Sequence, residues 1–160
     1  MLIRQFGDPV LREQTRPVTD FGPELDRLID KMVETMEEAP GVGLAATQVG
    51  VALRLFVYDS GNGPQALVNP VIIEGTGEQI EEEGCLSVPE IRLQVPRYDR
   101  IVVQAQDRHG TPVEIELHNL EARIFQHEID HLDGLLILDR VPPQDRRQAM
   151  RELNEKAGLI

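Results

Sequence analysis

NLEARIFQHEIDHLDG, residues 119–134, is the stretch from which the rest of the chain can be read. Asn119 suits the cap of a helix running from Leu120 to about Leu132. Glu121 falls in the first turn, where the helix dipole favours an anion, and Gly134 stands where a left-handed residue ends a helix. Inside this helix lies His127-Glu128-Ile129-Asp130-His131. Side chains four apart share a helix face, about 5 to 6 Å between Cβ atoms, so both imidazoles can meet one divalent ion. Glu128 lies one step round, within reach of a water at that ion, as a general base must be. Histidines carried only for solvation would sit on an open face, whereas Ile124, Phe125, Ile129 and Leu132 surround this pair with apolar residues.

Outward from the helix, hairpins precede it. Arg100–Gln106 and Pro112–His118 alternate around a turn at Asp107–Gly110, and Leu53–Tyr58 and Gln65–Ile73 flank the turn-forming Ser60–Pro64. Further upstream, Leu25, Leu28, Ile29, Met32, Val33 and Met36 recur at three- and four-residue intervals between acidic side chains, which predicts an amphipathic helix started by Pro23 and stopped by Pro40 and Gly41. Downstream, a short apolar run at Leu135–Leu138 leads to Pro142 and Pro143. These open a closing helix with Ala149, Met150 and Leu153 inward. The class is therefore α+β: antiparallel β-hairpins packed around a central metal-binding HExxH helix, with an N-terminal amphipathic helix and a C-terminal helix.

At 160 residues, the chain is expected to be one domain over 1–160, large enough to bury about two-thirds of its unfolded surface. Aromatic residues make up only 4%, so the core is aliphatic. The net charge of −12, with Lys31 and Lys156 the only lysines, argues against recognition of nucleic acid. One cysteine excludes an internal disulfide, and no apolar run has the length of a signal peptide or of a membrane span. The expectation is a cytoplasmic protein with no membrane partner.

A catalytic metal site needs a third protein ligand and an open position. Cys85, His109, His118 and the carboxylates are the candidates. His109 falls in a hairpin turn and reads as exposed; His118 ends a strand and reads as a packing or supporting residue. Cys85 lies in Glu83-Gly84-Cys85-Leu86-Ser87, behind an acidic run, Glu81-Glu82-Glu83, that is costly to bury without a cation nearby. A lone cysteine is also commonly a small buried hydrophobe. Gly41-Val42-Gly43-Leu44-Ala45-Ala46-Thr47-Gln48 lacks the pattern of a phosphate loop and reads as loop or short strand, carrying a backbone edge and one amide donor.

Together, GVGLAATQ, EGCLS and QHEIDH, in this order and separation, closely resemble the three signature segments of peptide deformylases, and the likeness runs over essentially the whole chain. The resemblance implies that Cys85, as thiolate, joins His127 and His131 around one divalent metal ion. It also implies that Glu128 is the general base, and that Gln48 and the Leu86 backbone N–H face the oxyanion. The implied reaction removes the N-formyl group from the formyl-methionine of nascent peptides, giving formate. By the same likeness the methionine pocket takes Val42, Leu120 and Ile124, with Glu83 and Arg92 at its edge, while the substrate backbone runs beside Gly43 and Gly84. Family resemblance favours Fe(II) as the ion in the cell, although these ligand types also suit Zn, Ni and Co. It further suggests ribosome contact through the closing helix, where residues 140–160 hold five basic and three acidic side chains.

Two further expectations concern charge. Asp130 faces away from the metal and either pairs with Arg97 in the interior or stands solvated at the surface; the Arg123 stem is expected to pack while its charge reaches water. The competing function is that of an HExxH metallopeptidase, which commonly takes a carboxylate or a third histidine where this chain offers cysteine. A purely structural metal site would call for more cysteines than one.

Overall fold

The computed structural model describes residues 1–158. The first helix, α1 (Pro23–Glu38), has Pro23 in its first turn and buries Leu25, Ile29, Met32 and Met36 on one stripe. Seven strands follow: β1 (Gly43–Ala45), β2 (Leu55–Tyr58), β3 (Gln65–Thr76), β4 (Gln79–Cys85), β5 (Val88–Arg97), β6 (Arg100–Gln106) and β7 (Pro112–His118). The chain then forms α2 (Asn119–Leu132) and, beyond a 3-10 turn at Ile137–Asp139, α3 (Pro143–Lys156).

Five strands make one antiparallel sheet in the order β1-β2-β3-β6-β7, and β4 and β5 make a separate two-stranded ribbon. Alternation along the large sheet sorts its side chains between two helices. Phe56, Tyr58, Leu67, Ile101, Val103 and Leu117 pack against Ile124, Phe125, Ile129 and Leu132 of α2. The intervening Leu55, Val57 and Val68 join Ile29, Met32 and Met36 of α1 on the other face. Phe56, Tyr58 and Phe125 meet edge-on or tilted, with ring centroids 4.6 to 5.8 Å apart. A third cluster lets α3 cover Val88 and Ile91 of β5 through Ala149 and Leu153. The three-layer arrangement holds α2 between the large sheet and the β4-β5 ribbon.

Several expectations change in detail. The α2 cap is His118, in extended backbone, while Asn119 sits at the first helical position with φ of 51° and its side chain makes no capping bond. The Asn119 backbone N–H instead donates to the Asp99 carbonyl, which fixes the strand-to-helix corner. His118 is exposed and lies 3.1 Å from Glu116, so it neither packs nor supports a metal site. The β4-β5 ribbon, which carries the acidic run, adds two strands to the hairpins that the sequence predicts. Gly134 does end α2 with φ of 77°, and a Cβ there would come 2.6 Å from the Arg12 carbonyl oxygen.

Candidate metal centre

The two histidines of α2 lie with ring centroids 5.0 Å apart. Cys85 comes from the end of β4, where the pairing register shifts between Gly84 and Cys85; this turns its side chain toward the helix. Its Sγ lies 3.3 Å from His131 Nε2. One ligand atom from each of Cys85, His127 and His131 falls within 4.8 Å of the other two. Ligation sites 46 residues apart in sequence thus share one small volume.

Around these three stands a set of oriented supports. Glu83 Oε1 lies 2.8 Å from His127 Nδ1, which leaves Nε2 of that ring free to face the centre. Gln48 is buried; its Oε1 accepts the Ala45 backbone N–H at 3.0 Å, so its amide nitrogen is the end turned to the site, donating to Ser87 Oγ at 3.1 Å and lying 3.8 Å from Cys85 Sγ. Glu128 is 4% exposed, with Oε2 4.0 Å from His127 Nε2. Its Oε1 is buried and has no hydrogen-bond partner among the described residues, as is His131 Nδ1. Gly43 is required here, because a Cβ would meet Glu128 Oε2 at 2.6 Å.

The electrostatics match a cation site. Burial works against ionisation of the Cys85 thiol, yet the His131 and His127 rings beside it hold it well below the ordinary thiol range. Burial would lower His127, but the neighbouring Cys85, Glu128 and Glu83 raise it well above an ordinary histidine. Glu128 is pushed up by burial, against the pull of the two histidines. A soft anion and two imidazoles form a donor set that suits a divalent transition metal, an unpartnered carboxylate oxygen lies beside them, and the Glu83 bond to His127 is the support such ligands ordinarily receive.

The acidic run divides in the structure. Glu81 and Glu82 are exposed, while Glu83 is buried, and the cations that permit this are guanidiniums. Arg97 donates from Nε and Nη2 to the two oxygens of Glu83, each at 2.9 Å, and Arg123 Nη1 donates to Glu83 Oε2. Despite its burial, Glu83 is held down to about 2, with His127 and then Arg97 as the stabilising neighbours. The expected Arg97–Asp130 pair is present at 2.6 Å, and Arg140 joins it at 2.7 Å. The expectation for Arg123 fails: its side chain is 6% exposed and its charge is turned inward to Glu83. A carboxylate across the interface was the missing signal, since Glu83 precedes Arg123 by 40 residues.

A cavity of about 540 Å³ opens beside the three ligands. Its walls include Gly43, Gly84, Leu86, Ile124 and Arg123, with Val42 and Leu120 exposed at its mouth. Arg92 lines the rim and pairs with Glu82 in the open, whereas Glu83 closes the cavity from beneath. His109 is exposed in its turn, as expected.

A cysteine and two histidines placed to hold one metal ion among the described residues, with a buried carboxylate beside them and a largely apolar cleft leading in, is the arrangement of the metal-dependent hydrolases. Residues 1–147 match the polypeptide deformylase family, and the chain belongs to that family. It is 51% identical over 159 residues to the peptide deformylase of Thermotoga maritima, covering 99% of this chain and 97% of the relative. The crystal structure of a peptide deformylase from Legionella pneumophila superposes with a TM-score of 0.91 at 43% identity, covering 98% of this chain and 95% of the other. A peptide deformylase from Synechococcus elongatus, solved in complex with actinonin, gives 0.90 at 37% identity, covering 99% and 88%. These likenesses favour the deformylase reading over the HExxH peptidase.

Proposed function

We propose that this chain hydrolyses the N-formyl group of formyl-methionyl nascent peptides to formate and a free amine, with Cys85, His127 and His131 holding one divalent ion. When bound, the ion supplies Lewis acidity, which polarises the formyl carbonyl and makes water a better nucleophile. The protein's own groups do the rest. Glu128 takes the proton from the attacking water at its carboxylate and returns it to the departing amine nitrogen. Burial, which raises this carboxyl, brings it nearer the range in which both transfers are feasible. The Gln48 amide nitrogen and the Leu86 backbone N–H face the carbonyl oxygen as charge develops on it; donors of this kind are worth roughly 100- to 1000-fold each. Because Gln48 is locked through its carbonyl oxygen to Ala45, its amide nitrogen is held turned to the site, between Ser87 Oγ and Cys85 Sγ.

The cleft receives the methionine side chain against Ile124, with Val42 and Leu120 at the mouth, and Arg92 and Glu83 bound its edge and floor. Gly43 and Gly84 lie on either side, and the extended peptide would pass between their backbones as an added strand. The observation that carries this reading is the Glu128 oxygen, buried and unpartnered beside two imidazoles and a thiolate.

Fe(II) is the proposed ion in the cell, the soft donor set also admitting Zn, Ni and Co. The proposed setting is the cytoplasm, on nascent chains. Among the described residues no helix is long and apolar enough to cross a membrane. Ribosome contact is proposed through α3, whose Arg147 and Arg151 are exposed. Anaerobically prepared protein tests the reading: it should release formate from formyl-Met-Ala with metal bound in a 1:1 ratio and leave Met-Ala uncut. Cleavage of the unformylated peptide, or no formate at any metal loading, would overturn it.

A further inference from the structure

Arg123 stands at the intersection of the cavity wall and the support of the metal ligands. It lies one helical turn before His127 on α2, so both side chains project from one face, and both reach the same carboxylate, Glu83. Its remaining donors are fixed by Gln79: Nε to the side-chain oxygen at 3.2 Å and Nη2 to the backbone carbonyl at 3.3 Å. With its guanidinium held in this way, what Arg123 offers the cavity is its methylene stem.

Glu83 needs this second arginine because its first is shared. Arg97 is shared between two buried carboxylates, giving Nε and Nη2 to Glu83 and Nη1 to Asp130. Asp130 has its own additional cation in Arg140. Among the described residues, Arg123 is the second guanidinium on Glu83, beside the His127 ring. The result is a line of alternating charge, Arg123–Glu83–Arg97–Asp130–Arg140, running beneath α2 from the substrate cleft to the entrance of α3. Without Arg123, Glu83 Oε2 keeps only its bond from Arg97 Nε, and the carboxylate that meets His127 Nδ1 loses one of its two guanidinium anchors.

We infer that Arg123 is a positioning residue: through Glu83 it fixes the His127 ring, and it makes the wall of the side-chain cleft part of the same rigid unit as the metal centre. The inference rests on the reading that Cys85, His127 and His131 hold the ion. Loss of supports that orient a ligand lowers metal affinity or activity by roughly 10- to 100-fold, and an effect relayed through Glu83 belongs at the lower end, roughly 10-fold.

Cobalt-loaded protein provides the test, since the thiolate-to-cobalt absorption band reports the ligand geometry and its decay in EDTA reports release. Arg123→Met, which keeps a stem and removes the charge, should shift the band, release cobalt about 10-fold faster and lower kcat more than it raises KM. Arg123→Lys, which restores the charge without the fork, should recover most of the cobalt retention. Where the methionine variant does not fold, Arg123→Gln takes its place in the same comparison. A wild-type band and release rate in the uncharged variant, or a lysine variant no better than the uncharged one, overturns the inference and leaves the metal centre standing. A wild-type chain that develops no thiolate band overturns both.

Discussion

The two β-structures that enclose α2 are held to it by different forces. The five-stranded sheet meets α2 through aliphatic and aromatic side chains, Phe56, Tyr58, Ile101 and Val103 against Phe125 and Ile129. The β4-β5 ribbon meets the same helix through Glu83, Arg97 and Cys85, each paired with a charged or metal-ligating group on α2. Apolar contact is non-directional and tolerates small displacements; a bidentate guanidinium–carboxylate pair fixes an angle. The sheet therefore supplies stability, and the ribbon supplies register between Cys85 and the histidines.

Glu128→Ala bears on this division most strongly. Glu128 lies on α2 beside the three ligands and against Gly43, takes no part in the apolar interface, and its Oε1 has no hydrogen-bond partner among the described residues. Losing a general base costs roughly 100- to 10,000-fold, so formate release should fall by that factor while the melting temperature stays level or rises as a buried carboxyl disappears. Measured turnover within 10-fold of wild type would remove Glu128 from the mechanism.

Phe125→Ala and Arg97→Met form a matched pair, one on each side of the helix. Phe125 is 1% exposed and central to the aromatic group; truncation of such a ring costs about 3–5 kcal/mol. That is a drop in melting temperature on the order of 10 °C for a chain of this size. Arg97→Met leaves Glu83 and Asp130 with one fewer shared cation, and breaking a buried pair from one side costs a comparable ~3–5 kcal/mol. The two should separate in metal retention. Folded Phe125→Ala should release cobalt to EDTA at the wild-type rate, whereas Arg97→Met should release it faster. Equal rates would mean that the ribbon, like the sheet, is only a source of stability.

Legibility in the sequence follows the same line. Apolar periodicity is local, and it made α1, the β6-β7 hairpin and α2 readable within a few residues of their bounds. HExxH was readable because ligation at four-residue spacing is also local. What joins Glu83 to Arg97, Arg123 and His127 is pairing across 14, 40 and 44 residues, and a run of three glutamates looks the same whether its last member faces water or two arginines. Arg97–Asp130 is legible only because Asp130 faces away from the histidines and needs a partner if it is buried. Asn119 failed as a cap for a local reason: its positive φ serves the corner after β7, which leaves His118 as the extended residue that starts the helix.

Glu83→Gln sharpens the comparison at smaller amplitude. The amide keeps the shape and can still accept from His127, but it removes the negative charge on which Arg97 and Arg123 converge. Cobalt affinity or kcat should fall roughly 10- to 100-fold. A double variant with Arg123→Met should be little worse than Glu83→Gln alone, because both act through one carboxylate. Additive losses would mean that Arg123 reaches the site by another route.

The smallest effect belongs to Lys156, which ties the end of α3 to Glu90 at the cleft rim with an N–O distance of 2.6 Å. The geometry alone would invite a role in closing the cleft, more so because Glu90 holds a φ of 64°. Exposure decides otherwise: the two side chains are 42% and 76% accessible, and pairs this open are screened by water and salt. The α3 helix is already anchored by Ala149 and Leu153 against Val88 and Ile91, so the ion pair adds a contact to a joint that burial has fixed. Lys156→Ala should leave the melting temperature and the KM for formyl-Met-Ala unchanged at physiological salt. A rise in KM that disappears at 1 M NaCl would show that charge at the rim, rather than the buried line beneath α2, also governs the cleft.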